Sequence, residues 1–364
     1  MWNRVKFKNF KSLKNLELEL TNINVLAGGN AAGKSSIIQG ILLAKSTSES
    51  LKKNEIELNG PYNLALGRSE HVLCSTADSE NFSIILSNME RDLIYSYNLD
   101  LLNRPYTVEL DNLSSGNIEL FKETKLHYLN AERLGPRKGQ KFDPKESLMT
   151  GYNGEYVNHV LNRADDLHIQ VPESIKNRNG LERFSTQVEA WMQLLIPDFR
   201  LKVTPIKEVD MVTISYGNSG LGHFIPPTST GFGISYCLPI ITSGLLASTQ
   251  ENSVLIVENP EAHLHPESQS RIGQFLALVS LTGVQLIVET HSEHVVNGIR
   301  IQLAKSDATK SGIVHYISQI EGETVSSKIE ISENGELSNW PQGFFDQEKK
   351  DLFELLRLKR SRRN

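Results

Sequence analysis

An α/β fold built on a parallel sheet is predicted by three observations. Short, nearly continuous apolar runs at Ile23–Ala27, Ser253–Val257 and Val284–Glu289 have the composition of strands buried on both faces. They alternate with stretches carrying apolar residues at helical spacing, Lys34–Lys45, Ser268–Leu281 and His294–Ala304. A glycine-rich turn, Gly28–Gly33, joins the first of these strands to the first of these helices.

The remaining elements follow in order. Val5–Phe7 and Leu16–Leu20 read as strands ahead of Ile23–Ala27. Residues 46–80 are polar and broken by Asn59-Gly60-Pro61. Alternation from Phe82 to Leu110 predicts antiparallel strands, and Leu126–Leu129 one more. Residues 154–166 and 181–196 are predicted helical, with Pro197 ending the second. Residues 199–216 read as a hairpin and 217–233 as a loop. Ile234–Ala247 reads as a buried helix that Pro239 should kink or begin. Strands return over 313–332, and the last forty residues carry an aromatic-Pro-Gly stretch and a basic end.

Composition narrows the class. The 364 residues are 39% hydrophobic and 22% charged, enough for a large core without disulfides or a structural metal. With 38 Lys plus Arg against 43 Asp plus Glu, the net charge of -5 excludes a generally basic nucleic-acid coat. Two cysteines, Cys74 and Cys237, lack a C-x-x-C spacing, which suits a reducing compartment. No apolar run reaches the roughly 18 residues that would span a bilayer. A soluble, cytoplasmic chain without membrane contact is therefore expected.

Three segments carry chemistry. Gly28-Gly29-Asn30-Ala31-Ala32-Gly33-Lys34-Ser35 fits G-x-x-x-x-G-K-[ST], and Ser36 follows. Its glycines let backbone N–H groups wrap phosphate at a helix amino terminus. Lys34 can reach β- and γ-phosphates, and Ser35 can offer its hydroxyl to Mg²⁺. Glu258 ends a buried strand, where an acid can hold the shell of that Mg²⁺. His291 directly follows another buried strand, and from there an imidazole can sense a γ-phosphate. ATP and Mg²⁺ are the expected ligands. The pairs His263/His265 and His291/His294 lack the spacing of a zinc site.

These segments, with the opening NFKSL…LTNINVLAGGNAAGKSSI, resemble the ABC-class ATPase heads of the SMC, RecF and OLD group. Further stretches resemble a bacterial subgroup that ends in a small domain of uncharacterised function. They are YLNAERLGPR, GYNGEYVNHVL, GFGISYCLPII, ENPEAHLHP, ETHSEHVVNGIR and WPQGFFDQ. The resemblance implies an ABC-type P-loop NTPase; between Lys34 and Glu258, where SMC relatives hold a coiled coil, residues 81–224 read instead as a mixed α+β insertion lobe. The chain's parts would be a first core half at 1–80, the insertion at 81–224, a second half at 225–320 and an extension at 321–364. It implies Glu258 as the Walker B acid, His265 in the D-loop and His291 as the switch histidine. It places Ser229, Gly231, Gly233 and Ser235 in the signature region, which caps the nucleotide of the other protomer in a head-to-tail homodimer.

Departures from the pattern shape the expected activity. Glu258 stands where Asp is usual, and residues 55–75 hold no Gln, leaving Asn63 as a stand-in. Asn259 stands where a Glu usually polarises the attacking water, and an amide cannot take that proton. Either Glu261 supplies the carboxylate, or turnover is slow and ATP acts mainly as a switch. The loop from Arg133 to Lys145 holds Arg133, Arg137, Lys138, Lys141 and Lys145 and could meet a phosphate backbone. Residues 305–364 are too short for a Toprim nuclease, so destructive chemistry would need a partner. Two functions stand: an ATPase controlling a nucleic-acid-directed or anti-phage defence partner, or an ATP-dependent scaffold without appreciable hydrolysis.

Overall fold

The computed structural model describes residues 1–50, 55–89, 91–100, 103–113, 118–218, 220, 222–341 and 343–361. The basic end continues into Arg362 and Arg363, which lie outside the described residues. From the amino terminus, β1 (Arg4–Phe10), β2 (Leu13–Glu19) and β3 (Ile23–Gly28) lead to α1 (Lys34–Glu49). Then come β4 (Glu55–Glu57), β5 (Asn81–Ser87), β6 (Asp92–Asn98), β7 (Thr107–Leu113), α2 (Ile118–Glu123) and β8 (Lys125–Leu129). β9 (Gln140–Lys141), α3 (Val157–Asp166), α4 (Phe184–Met192), β10 (Arg200–Ile206) and β11 (Met211–Gly217) follow. The closing part holds α5 (Phe232–Ser248), β12 (Ser253–Glu258), α6 (Pro266–Ser280), β13 (Gln285–Thr290) and α7 (Glu293–Lys305). It finishes with β14 (Gly312–Ile320), β15 (Glu323–Glu330) and α8 (Gln347–Ser361).

A six-stranded sheet of order β15-β14-β3-β13-β12-β8 forms the centre, parallel except for β15. The fold is thus α/β with parallel and antiparallel sheets, as the sequence predicts. Alternation along each central strand feeds two cores. Val25, Ala27, Leu255, Val257, Leu286 and Val288 face α3 to α7. Leu26, Val254, Ile256 and Ile287 face α1 and the antiparallel sheet β2-β1-β5-β6-β7-β4. Burial on both faces explains why these strands read as unbroken apolar runs.

The stretch 81–224 contributes to three sheets rather than one. Its first strands complete the antiparallel sheet, β8 edges the parallel sheet, and β9 to β11 form a separate three-stranded sheet. Several local expectations shift. α4 ends at Met192, well before Pro197, with the Gln193 N–H bonding back to Glu189. Pro239 lies inside α5 rather than at its start, and its ring packs close to Gly154. The chain end forms α8, with Leu352, Phe353, Leu355 and Leu356 exposed. No helix among the described residues is long and apolar enough to cross a membrane.

Three histidines are buried in this scaffold: His127, His159 and His315. Burial lowers the pKa of each and takes His315 down to about 4, its Nε2 lying 2.9 Å from the Glu19 carbonyl oxygen. A histidine held neutral in the fold charges more readily once unfolded. Its stabilisation is present above about pH 6.5 and lost as pH falls toward 4. Each such histidine contributes a slope of up to roughly 1.4 kcal/mol per pH unit. Thermal melts between pH 7 and 4.5 should therefore show falling stability. The gap between the wild type and His315→Gln should narrow as pH falls.

Candidate functional site

The carboxyl ends of β3, β13 and β12 meet at one edge of the parallel sheet because the register pairs Thr290 with Ala27 and Glu258 with Glu289. A cavity of about 300 Å³ opens there. It is lined by Ser12, the turn Asn30–Ser36, Ala131, Glu258, Asn259, Glu289 and His291. A larger cleft of about 740 Å³ lies at Arg4, Glu17, Glu19 and Asp92, but ion pairs from Arg4 to Glu17 and Asp92 span it. The smaller one gathers the glycine turn, Glu258 and His291.

The glycine turn has the backbone its motif demands. Gly28 has φ 150°, and a Cβ there would sit 2.1 Å from the Ile317 carbonyl oxygen. Gly33 has φ 107°, and a Cβ would strike Thr324. Only glycine fits either place. Lys34 Nζ donates to the carbonyls of Gly28 (3.1 Å) and Gly29 (2.8 Å) and lies 3.7 Å from Glu289 Oε1. Burial lowers its pKa, and the Glu289 carboxylate opposes that shift.

Two acids share the floor. Tyr128, on β8, donates its hydroxyl to Glu258 Oε1 at 2.8 Å. The Ser35 hydroxyl lies 3.5 Å from Glu289 Oε1. The Glu258 and Glu289 side chains contact each other, and both are buried. Burial raises both, and the neighbouring Glu258 charge adds to the rise at Glu289, which reaches about 7. Two adjacent carboxylates at low dielectric resist ionising together.

Glu261 is not among the residues that line the cavity. One of its carboxylate oxygens accepts the Thr290 hydroxyl and the other the His291 N–H, each at 2.7 Å. It ties the β12–α6 turn to the turn bearing His291. That histidine lines the cavity; partial burial, then the Lys34 ammonium, lower its pKa. Ser292, the next residue, caps α7 by accepting the N–H groups of His294 and Val295. Asn259 has φ 44°, a left-handed conformation that Asn tolerates, and its N–H donates to the Glu289 carbonyl. Its Oδ1 is buried without a partner.

Other expected residues lie elsewhere. Ser229 and Gly231 are exposed at the start of α5, and none of Ser229, Gly231, Gly233 and Ser235 lines the cavity. Gly233 approaches the His263 carbonyl so closely that a Cβ would stand 2.9 Å from it. His265 is the N-cap of α6, before Pro266. Asn63 is exposed on the opposite core and does not line the cavity.

The phosphate-backbone reading of Arg133 is overturned. Arg133 is 2% exposed, and its guanidinium donates to the carbonyls of Asn130, Glu258 and Asn259 and sits 5.4 Å from the Tyr236 ring. Burial lowers its pKa to about 10. It braces the end of β12, a duty its place in a basic run could not reveal. Arg137, Lys138, Lys141 and Lys145 do remain exposed.

Sequence reasoning missed Glu289, Tyr128 and the bracing role of Arg133. An acid at the end of a buried apolar strand is the signal that picked out Glu258, and Glu289 shows the same one.

Comparison with known proteins follows this geometry. Residues 1–146 match the family described as "AAA ATPase domain". Residues 122–297 match "AAA domain, putative AbiEii toxin, Type IV TA system", and residues 309–355 match "Protein of unknown function (DUF3696)". No curated protein matches the chain. Among solved structures, an SMC head bound to the C-winged helix domain of ScpA has a TM-score of 0.56 at 12% identity, over 91% of this chain and 98% of that one. An SMC head with an extended coiled coil, bound to the C-terminal domain of ScpA derived from Pyrococcus furiosus, has a TM-score of 0.53 at 11% identity, over 98% and 99%. The fold is that of an SMC head.

Glu261→Gln should loosen the turn at His291. An amide accepts at only one of these places and meets the other with an NH₂ group that cannot serve the His291 N–H, so the charge-assisted pair is weakened, costing on the order of 1 kcal/mol. A lower melting temperature and faster hydrogen exchange at the His291 amide would register it; unchanged exchange would refute the tether.

Proposed function

We propose that this chain, with its AAA-type ATPase domains on an SMC-head fold, binds ATP at the β3–β13–β12 edge. It would work as a slowly hydrolysing switch that pairs with a second copy around nucleotide. The observation that carries the reading is the convergence of the glycine turn, Glu258 and His291 on one cavity. The residues fit a nucleotide and its metal. Gly28 and Gly33 let the turn pack closely on Ile317 and Thr324, and the nearby donors Ser35, Glu258 and Glu289 are all oxygen, as Mg²⁺ prefers.

In this reading, backbone N–H groups of Gly28–Ser36 enclose the phosphates and Lys34 neutralises the β- and γ-groups. Ser35 and Glu258 hold Mg²⁺. Bound Mg²⁺ would screen phosphate charge and favour displacement at the γ-phosphorus. His291 reads out the γ-phosphate, and Glu261 holds that histidine in place rather than taking a proton from water. With Asn259 beside it, this supports slow turnover. Ser229, Gly231, Gly233 and Ser235 present the open start of α5 to the nucleotide of the second protomer, with His265 in the adjoining D-loop. That none of them lines the cavity of the same chain supports the head-to-tail arrangement.

The output is proposed to be control of a protein partner, in defence or on nucleic acid. The SMC heads above are bound to ScpA domains, and one matched family description names a toxin of a type IV TA system. Exposed Arg137, Lys138, Lys141 and Lys145 are available for a phosphate backbone. The second reading, a scaffold without appreciable hydrolysis, is favoured by Asn259 and by the tied oxygens of Glu261.

Lys34→Ala should abolish binding of a labelled ATP analogue, and undiminished affinity would sink the nucleotide site. Steady-state phosphate release, with and without DNA, separates a stimulated ATPase from a scaffold. Light scattering of Glu258→Gln with ATP should show a dimer. A monomer under every nucleotide condition at high concentration would rule out the paired arrangement.

A further inference from the structure

Glu289 holds the centre of the cavity floor. β13 lies between β3 and β12, so its side chain reaches the glycine turn on one flank and Glu258 on the other. Its Oε1 is 3.7 Å from Lys34 Nζ and 3.5 Å from Ser35 Oγ, with 6% of the side chain exposed. A buried pair of carboxyls needs a cation nearby, and Lys34 is the ammonium within reach. Lys34 is also the group that a phosphate-binding turn aims at ATP. Engaging it there leaves Glu289 without its cation, while Arg133 still faces Glu258.

We propose that Glu289 is a metal-site residue. Together with Ser35 and Glu258 it presents oxygen donors to Mg²⁺, which replaces Lys34 as the cation beside Glu289 when nucleotide draws Lys34 away. This rests on the ATP-binding reading and deepens it. The oxygen-only donor set suits a hard divalent ion over softer metals. Tyr128 supports the assignment by engaging one Glu258 oxygen from the side of β8, away from the glycine turn. It follows that Glu289 has two opposed effects. Without metal it competes with phosphate for Lys34, and with metal it strengthens the same phosphate contact. Metal and nucleotide must then raise each other's affinity by the same factor.

The test uses the full chain and a fluorescent, non-hydrolysable ATP analogue, titrated in EDTA and in Mg²⁺. Mn²⁺ binding is followed in parallel by the loss of the free-ion electron paramagnetic resonance signal. In the wild type, Mg²⁺ should tighten the analogue. In Glu289→Gln, affinity in EDTA should match or exceed the wild type, while the Mg²⁺ enhancement and Mn²⁺ affinity both fall on the order of tenfold or more. Glu289→Asp should recover part of the metal effect. Full Mg²⁺ enhancement and unchanged Mn²⁺ affinity in Glu289→Gln would overturn the assignment. So would an equal loss of analogue affinity with and without metal, the mark of a merely structural residue. If the wild type itself binds no analogue in either buffer, the ATP reading fails and this proposal with it.

Discussion

The parallel register of β3, β13 and β12 is the constraint on which the site depends. Each strand is buried on both faces, so a slip of one residue would turn its side chains into the wrong core. With the register held, the three strands end together, and whatever follows or finishes each of them must share one small volume. The glycine turn leaves β3, Glu289 lies near the tip of β13, and Glu258 closes β12. None of these groups is adjacent in sequence.

That volume is electrostatically unusual. It gathers one lysine, two contacting acids and a neutral amide in a place largely screened from water. Around it stand groups that hold geometry rather than charge. Tyr128 orients Glu258, Arg133 grips the carbonyls at the end of β12, and Glu261 stitches that strand's turn to His291. A site so braced is ready for a ligand of high negative charge. Both oxygens of Glu261 are engaged by the turn at His291.

Packed contacts link this edge to the start of α5. Arg133 lies over the Tyr236 ring, Tyr236 packs edge-on against His263, and Gly233 abuts the His263 carbonyl. The turn after β12 and the first turn of α5 are therefore one close-packed body. These contacts run without a gap from the end of β12 to an exposed helix start.

Much was legible in the sequence alone. The α/β class, the strand–turn–helix of the phosphate site and the candidates Lys34, Ser35, Glu258 and His291 follow from local spacing, because backbone chemistry within a few residues decides them. Helix ends were less legible, since Gln193 caps α4 before Pro197 can act and α5 runs on through Pro239. Only the tertiary structure decided the rest. Whether Glu261 faces the cavity, whether Arg133 meets solvent or carbonyls, and whether Glu289 meets Lys34 all depend on contacts between residues far apart in the chain. Those contacts are set by strand register and burial, which no local spacing encodes.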